Sequence, residues 1–468
     1  MTPILLLEIN EVPWRLIDRY LGRPVLPHLN RFFEQSSHFT TVAVDTGELS
    51  PWVTWPTLHR GMNNERHGIR NLGQDPATFK GKPIWADIRE RGGSIGICGS
   101  MQSWPPADPG EDGFYVPDTF AHDARCVPAY LEPLQSFNLA QVRTNPRVVT
   151  GLLPSAADVL RIAFSSARSG IRLRTGMRLF GHLLHERVDS SKRAKRPVYQ
   201  AVVFWDVFRK HFNPRRPPHF STFFTNHVAG VMHRYWRDVF PEDFPAGEGR
   251  GESREWLMQF ALRVLDDILR EVLDWSASNP DLVVVFASSM GQEAVHRDYH
   301  EGLDLVVEDV DLLMQQTGLR RSAYQPLLAM APQVAVRIED AALRDRTRAV
   351  LEAAYCGDHR RFIRVQTIGP SLSITIATPR RKELAADVFY VADRRVRWAE
   401  AGIRKQEVEA GTGYHTPCGS LAVLSGRLQR HELTKDRARV KADRVKEWLL
   451  AVSSDGHARI PLLASMAS

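Results

Sequence analysis

Two stretches of the chain are apolar almost without interruption: Ile4–Ile9, ILLLEI, and residues 281–287, DLVVVFA. Runs of this length are short for helices and rich in branched side chains. They predict strands buried on both faces of a parallel sheet. Between them the period changes. Helical spacing predicts helices over Trp14–Tyr20, 27–35 and 84–91, with a strand at 94–98 ending in Gly99-Ser100. A strand pattern returns at Phe220–Thr225, a long amphipathic helix at 255–276, and a late strand at 421–425. Strand and helix alternating in this way predict an α/β fold, a mostly parallel sheet flanked by helices. Two segments break the rhythm. Residues 135–218 read as a basic helical cap, and 331–405 as a small α+β insertion with strands at 334–338, 362–366 and 371–377 around a helix at 343–355. The expected division is 1–134, 219–330 and 406–468 for the core, with 135–218 and 331–405 inserted into it.

Composition agrees with a packed core: 43% of the 468 residues are hydrophobic and 25% charged. The formal net charge of +7 is concentrated rather than spread. Arg172, Arg174, Arg178, Lys192, Arg193, Lys195, Arg196, Arg215 and Arg216 all fall within the first insertion. Such a segment is either a solvated basic face or a surface for peripheral contact with an anionic membrane or substrate. No specific nucleic-acid motif accompanies it. The four cysteines form no C-x-x-C pair, which argues against a zinc ribbon and against a disulfide framework. The first apolar run lacks a basic leader and contains Glu8, and no run approaches the roughly 20 apolar residues that span a bilayer. The expected location is cytoplasmic.

In α/β folds, chemistry gathers at the carboxyl ends of the strands. The first strand ends in Glu8-Ile9-Asn10-Glu11, and the candidate loop and helix run from Ser50 to Ile69, SPWVTWPTLHRGMNNERHGI. Ser50-Pro51 is a good N-cap and first-position pair, so its hydroxyl is either a cap or a nucleophile. Thr54 is the second hydroxyl candidate. Trp52 and Trp55 on the same helix serve either as core or as a stacking platform for a sugar or base. Glu48 and Ser289 are further polar candidates for holding a substrate. His227, His233 and His415, with Glu8 or Glu11, would suffice for one divalent metal. His296 and His300 stand at helical spacing but read more simply as a solvated segment.

The landmarks, in this order, resemble the alkaline phosphatase superfamily, especially its type I phosphodiesterase/nucleotide pyrophosphatase branch. The matching segments are the first strand with its tip at Asn10, Leu26-Pro27-His28-Leu29, Ser50-Pro51-Trp52 with Thr54-Trp55, Arg60-Gly61, His67-Gly68-Ile69, His233, Ser288-Ser289-Met290-Gly291 and Gly413-Tyr414-His415. The resemblance implies an alkaline phosphatase-like core, in-line attack on phosphorus, and metal positions at Asn10, His233, Ser289, Met290 and His415. Counting back from Gly61 places the family's nucleophile on Pro51; one inserted residue places it on Ser50. The departures are informative. Asn10, Ala229 and Ser289 stand where the family has carboxylates, and Met290 where it has an imidazole. Two metals about 4 Å apart need those donors, so the two-metal site does not carry over intact. Two readings follow. One is a hydrolase of phosphodiester, phosphomonoester or related ester bonds, using zinc, manganese or magnesium on an anionic small-molecule substrate, nucleotide- or glycan-linked. The other is a catalytically degenerate relative without metal that binds a glycan, nucleotide or protein partner.

Overall fold

The computed structural model describes residues 1–143, 168–245, 253–295, 303–460 and 463, apart from 328, 330–332, 358, 378, 380–383, 385 and 408–410. His296 and His300 lie outside the described residues.

In chain order the elements that position the site are β1 (Ile4–Ile9), β2 (Ser37–Val42), α1 (Pro51–Arg60), β3 (Ile95–Cys98), β4 (Phe114–Val116), α2 (Leu173–Val188), α3 (Arg196–His211), β5 (Phe220–Thr225), α4 (His227–Val239), α5 (Glu255–Ser278), β6 (Val283–Ala287), β7 (Gly291–Ala294), β8 (Gly413–Thr416), β9 (Cys418–Ser425) and β10 (Ala438–Lys441). Eight of the strands form one sheet in the order β10-β2-β9-β6-β1-β5-β3-β4. Only β9 runs against the rest, pairing antiparallel with both β2 and β6. The protein is thus an α/β fold built on a mostly parallel sheet.

The apolar runs occupy the centre for the expected reason. Every residue of β1 and of β6 is buried, because helices cover both faces of the sheet. Leu5, Leu7 and Ile9 face a core built with α3, α4 and α5. Ile4 and Leu6 face the opposite core, with Trp55 and Leu58 of α1 and Trp448 and Leu449 of the C-terminal helix Val445–Asp455. Each large buried side chain contributes roughly 1.5–3 kcal/mol. The period of two also decides which face the polar residues of β1 join: Glu8 and Asn10 point with Leu6, toward α1.

A third core is separate. It gathers Val336, Leu351, Leu372, Phe389 and Trp398, from the stretch between β7 and β8. Strand Gln333–Arg337, helix Ala341–Ala353 and strand Ile363–Ile368 make a split β-α-β unit, with Ser371–Ile376 antiparallel between the two strands.

Candidate functional site

The site grows from the carboxyl end of β1. The Asn10 amide still donates to Thr225 O of β5 at 3.0 Å. Glu11 then turns the chain with a left-handed φ of 59°. Glutamate in that region costs roughly 1–2 kcal/mol, and this glutamate is also buried, with 1% exposure. Its carboxylate is tied down from two sides. Asn10 Nδ2 donates to Oε1 at 2.8 Å, and Gln292 Nε2 donates to Oε2. Gln292 Oε1 is buried without a hydrogen-bond partner. Holding the donor end of an amide on Glu11 while stranding its carbonyl costs about 1–3 kcal/mol, a tension typical of functional positions.

Two imidazoles close on the same carboxylate. His233, from α4, places Nε2 2.8 Å from Glu11 Oε2. His415, from β8, places Nε2 3.3 Å from Oε1. In the antiparallel pair β7–β8, His415 stands directly opposite Gln292, so one register brings both to Glu11. Gly413 makes this possible: a Cβ there would meet Met232 O of α4 at 2.6 Å. One donor atom from each of Glu11, His233 and His415 lies within 4.8 Å of the others.

The outer nitrogens of both rings are committed. His233 Nδ1 donates to Gly413 O at 3.0 Å, and His415 Nδ1 donates to Leu49 O at 2.7 Å. A carbonyl oxygen only accepts, so each Nδ1 carries the hydrogen. Each Nε2 therefore meets a carboxylate oxygen with its lone pair unless a positive centre stands there, either a proton or a metal ion. Backbone carbonyls that fix the outer nitrogen are common partners of metal-binding histidines, and here they leave each inner nitrogen on a shared carboxylate. Burial pushes the Glu11 carboxyl up, but the charges of His415 and His233 and their hydrogen bonds hold it well below the usual carboxylate range. Burial pulls His415 down, yet Glu11, Leu49 O and Glu48 raise it above an ordinary imidazole. The cluster is open on one side, with the His233 side chain 31% exposed and that of His415 10%. Tyr414 stacks on His415 at 4.6 Å between ring centroids and donates to Glu48.

Beside this charged cluster lies a neutral one. Asn10 Oδ1 accepts from Trp55 Nε1 at 2.8 Å, and Asn10 Nδ2 also donates to Asn226 at 2.7 Å. Thr54 Oγ1 and Ser289 Oγ are 2.8 Å apart and fully buried. Met290 is buried as well. Ser50 is the N-cap of α1, but its side chain makes no cap hydrogen bond, and it follows Leu49, whose carbonyl holds His415.

Several residues expected at the site stand elsewhere. Glu8 is buried against His59, with Oε1 2.7 Å from the imidazole Nε2. Its position on β1 turns it beneath α1 rather than toward the strand ends. Trp52 and Trp55 are packed into the core and offer no stacking face. His227 is sealed under α5: Nε2 donates to Ala261 O at 3.1 Å, and Nδ1 accepts from Thr225 Oγ1 at 2.7 Å. With both nitrogens used, burial lowers its pKa to about 4, and it has no lone pair for a metal. Gln292 and Tyr414 were not singled out as site residues by the sequence. Only the β7–β8 register reveals Gln292, whereas Tyr414 could have been read from its place beside His415.

No family model and no curated protein sequence matches the chain. Among solved structures, murine ectonucleotide pyrophosphatase/phosphodiesterase 5 aligns over 96% of this chain and 95% of its own, at 10% identity and a TM-score of 0.42. An inactive variant of that protein in complex with AMP aligns over 97% and 95%, at 10% identity and 0.43. The human protein aligns over 96% and 94%, at 10% identity and 0.43. The functional reading rests instead on the geometry around Glu11.

Proposed function

We propose that the chain is a hydrolase of phosphodiester, phosphomonoester or related ester bonds, with a single divalent cation held by Glu11, His233 and His415. The observation that carries this reading is the orientation of the two imidazoles. Each has its Nδ1 on a backbone carbonyl and its Nε2 on the Glu11 carboxylate, a donor set that asks for a positive centre. Two imidazoles and one carboxylate suit zinc, and manganese next; magnesium prefers oxygen donors. Such an ion supplies Lewis acidity to a phosphoryl oxygen and acidifies a water molecule.

The remaining work falls to the chain. Asn10 and Gln292 hold the Glu11 carboxylate in place. Leu49 and Gly413 hold the rings. Ser50, whose hydroxyl is not used as a helix cap, is the candidate for in-line attack, and Thr54 is the second. The substrate class that fits a cationic centre is an anionic ester, nucleotide- or sugar-linked. A second reading is favoured by one observation: Asn10 is paired with Trp55 and Asn226, and Thr54 with Ser289, without any ion. On that reading the pocket binds a nucleotide, glycan or protein partner without turnover.

Metal analysis of the purified protein separates the two, together with turnover of bis(p-nitrophenyl) phosphate under added zinc, manganese or magnesium. One equivalent of metal and turnover abolished by Ser50→Ala support the hydrolase. Absence of both metal and turnover, with a thermal shift on adding a nucleotide or glycan, would replace it with the binding reading.

A further inference from the structure

Helix α2 has its polarity reversed. Toward the protein it buries Thr175, His182 and Glu186. Toward solvent it presents Leu173, Met177, Phe180, Leu184 and Val188, which are 81%, 60%, 65%, 46% and 90% exposed. These five recur at spacings of four, three, four and four residues, so they form one continuous stripe. Over 16 residues the helix is about 24 Å long. Scattered exposed apolar residues are ordinary, whereas a continuous stripe of this size marks an interaction surface.

The surroundings of the stripe say what covers it. A cavity of about 620 Å³ opens beside the helix, lined by Arg178, His182, His185, Lys192, Lys195 and Tyr199, with Asp189 the only acidic residue on its wall among the described residues. Lys192 has a partner in Asp189 at 3.2 Å, and Arg178 in Asp267 at 3.5 Å, both of these more than half exposed. Lys195 lies over the rings of Trp256 and Phe260, and burial together with Lys192 and Arg263 lowers its pKa. An apolar stripe with a basic hollow along its flank matches the two layers of an anionic bilayer surface, acyl boundary below and phosphate above. A protein partner would require the acidic patch that a lipid surface supplies by itself. Among the described residues no helix is long and apolar enough to cross a membrane.

We propose that α2 is a peripheral docking surface for an anionic phospholipid bilayer. The stripe from Leu173 to Val188 enters the acyl boundary, and the cavity between Arg178 and Lys195 receives head-group phosphate.

The test is co-sedimentation of the full chain with phosphatidylcholine vesicles, with and without phosphatidylglycerol, over a range of salt. Binding is expected only with phosphatidylglycerol and should weaken as salt rises. Phe180→Asp with Leu184→Asp should weaken it by about a hundredfold or more, roughly what loss of two buried apolar side chains implies. Lys192→Gln and Lys195→Gln should each weaken it about fivefold and flatten the salt dependence. Phe180 and Leu184 are exposed and Lys192 and Lys195 half-buried, and circular dichroism melting of each variant verifies the fold. Failure of the wild-type chain to pellet with phosphatidylglycerol overturns the proposal. So does apolar-face pelleting equal to wild type, or a wild-type dimer that Phe180→Asp converts to a monomer while no vesicle binding is seen.

Discussion

The carboxyl edge of the sheet carries two clusters side by side, and they obey opposite rules. Around Glu11 two imidazoles and two amides converge on one carboxylate, and the arrangement is unsatisfied without a positive centre between His233, His415 and the carboxylate. Around Asn10 every group is neutral and already paired, with Trp55, Asn226, Thr54 and Ser289. The two share a residue boundary and one hydrogen bond, Asn10 to Glu11. An amide at position 10 can therefore do what a carboxylate could not: donate to Glu11 while accepting from Trp55. The neutral amide in one cluster is what positions the charge in the other.

That contrast can be broken most severely at position 10. Asn10→Asp would set two carboxylates against each other and leave Asn226 without its donor. In the presence of chelator it should cost about 3–5 kcal/mol in urea denaturation, the range for an uncompensated buried charge. Added zinc should restore part of the loss, and unchanged stability in chelator would show that the neutrality there is incidental. Next in size, Glu11→Gln should lower metal affinity at least about 100-fold, beyond the 10–100-fold typical of outer-shell partners, as read by calorimetric titration. Metal retention in that variant would remove Glu11 from the site.

His227 gives a contrast in pH. Its folded pKa of about 4 lies below the ordinary imidazole value, so its contribution is full above about pH 6.5 and is lost as pH falls toward 4. The wild type should lose up to about 3 kcal/mol over that window relative to His227→Gln, measured by denaturation at each pH. Parallel profiles would mean the imidazole is not sealed. The smallest effect is expected from Thr54→Val, about 1–3 kcal/mol from the stranded Ser289 hydroxyl, with metal content unchanged. A fall in metal content there would join the two clusters into one.

Much of this was legible in the chain. The bounds of β1 and of helix Trp14–Tyr20 follow from pattern alone, because continuous burial on two faces leaves a run of apolar residues that tolerates few other readings. β2 was not legible: SHFTTV carries only two clearly apolar residues, and its place between β9 and β10 is set by long-range pairing. At the site, His233 and His415 were legible as residues, but their orientation was not. Glu11 could be named only as one alternative to Glu8, since the choice between them depends on the left-handed turn after Asn10. The alternation of β1 sends Glu8 under α1, and the turn sends Glu11 to the open edge. His227 looked equivalent to His233 in sequence. A step of six positions along the helix separates them, and that rotation buries one ring while opening the other.

The left-handed backbone of Glu11 also narrows what any other chain with this site must contain. Glycine, asparagine and aspartate tolerate that turn more readily. Glycine would remove the carboxylate, asparagine its charge, and aspartate would withdraw the oxygens by one methylene from imidazoles that the carbonyls of Leu49 and Gly413 hold still. Glutamate suits the position by its reach. Unrecognised relatives should therefore betray themselves by a short pattern: an apolar strand closing in an amide and a glutamate, an imidazole on the helix after a later strand, and a glutamine facing Gly-x-His across a hairpin. Identity over the whole chain would be a poor guide to them, because six positions scattered from 10 to 415 hold the arrangement together.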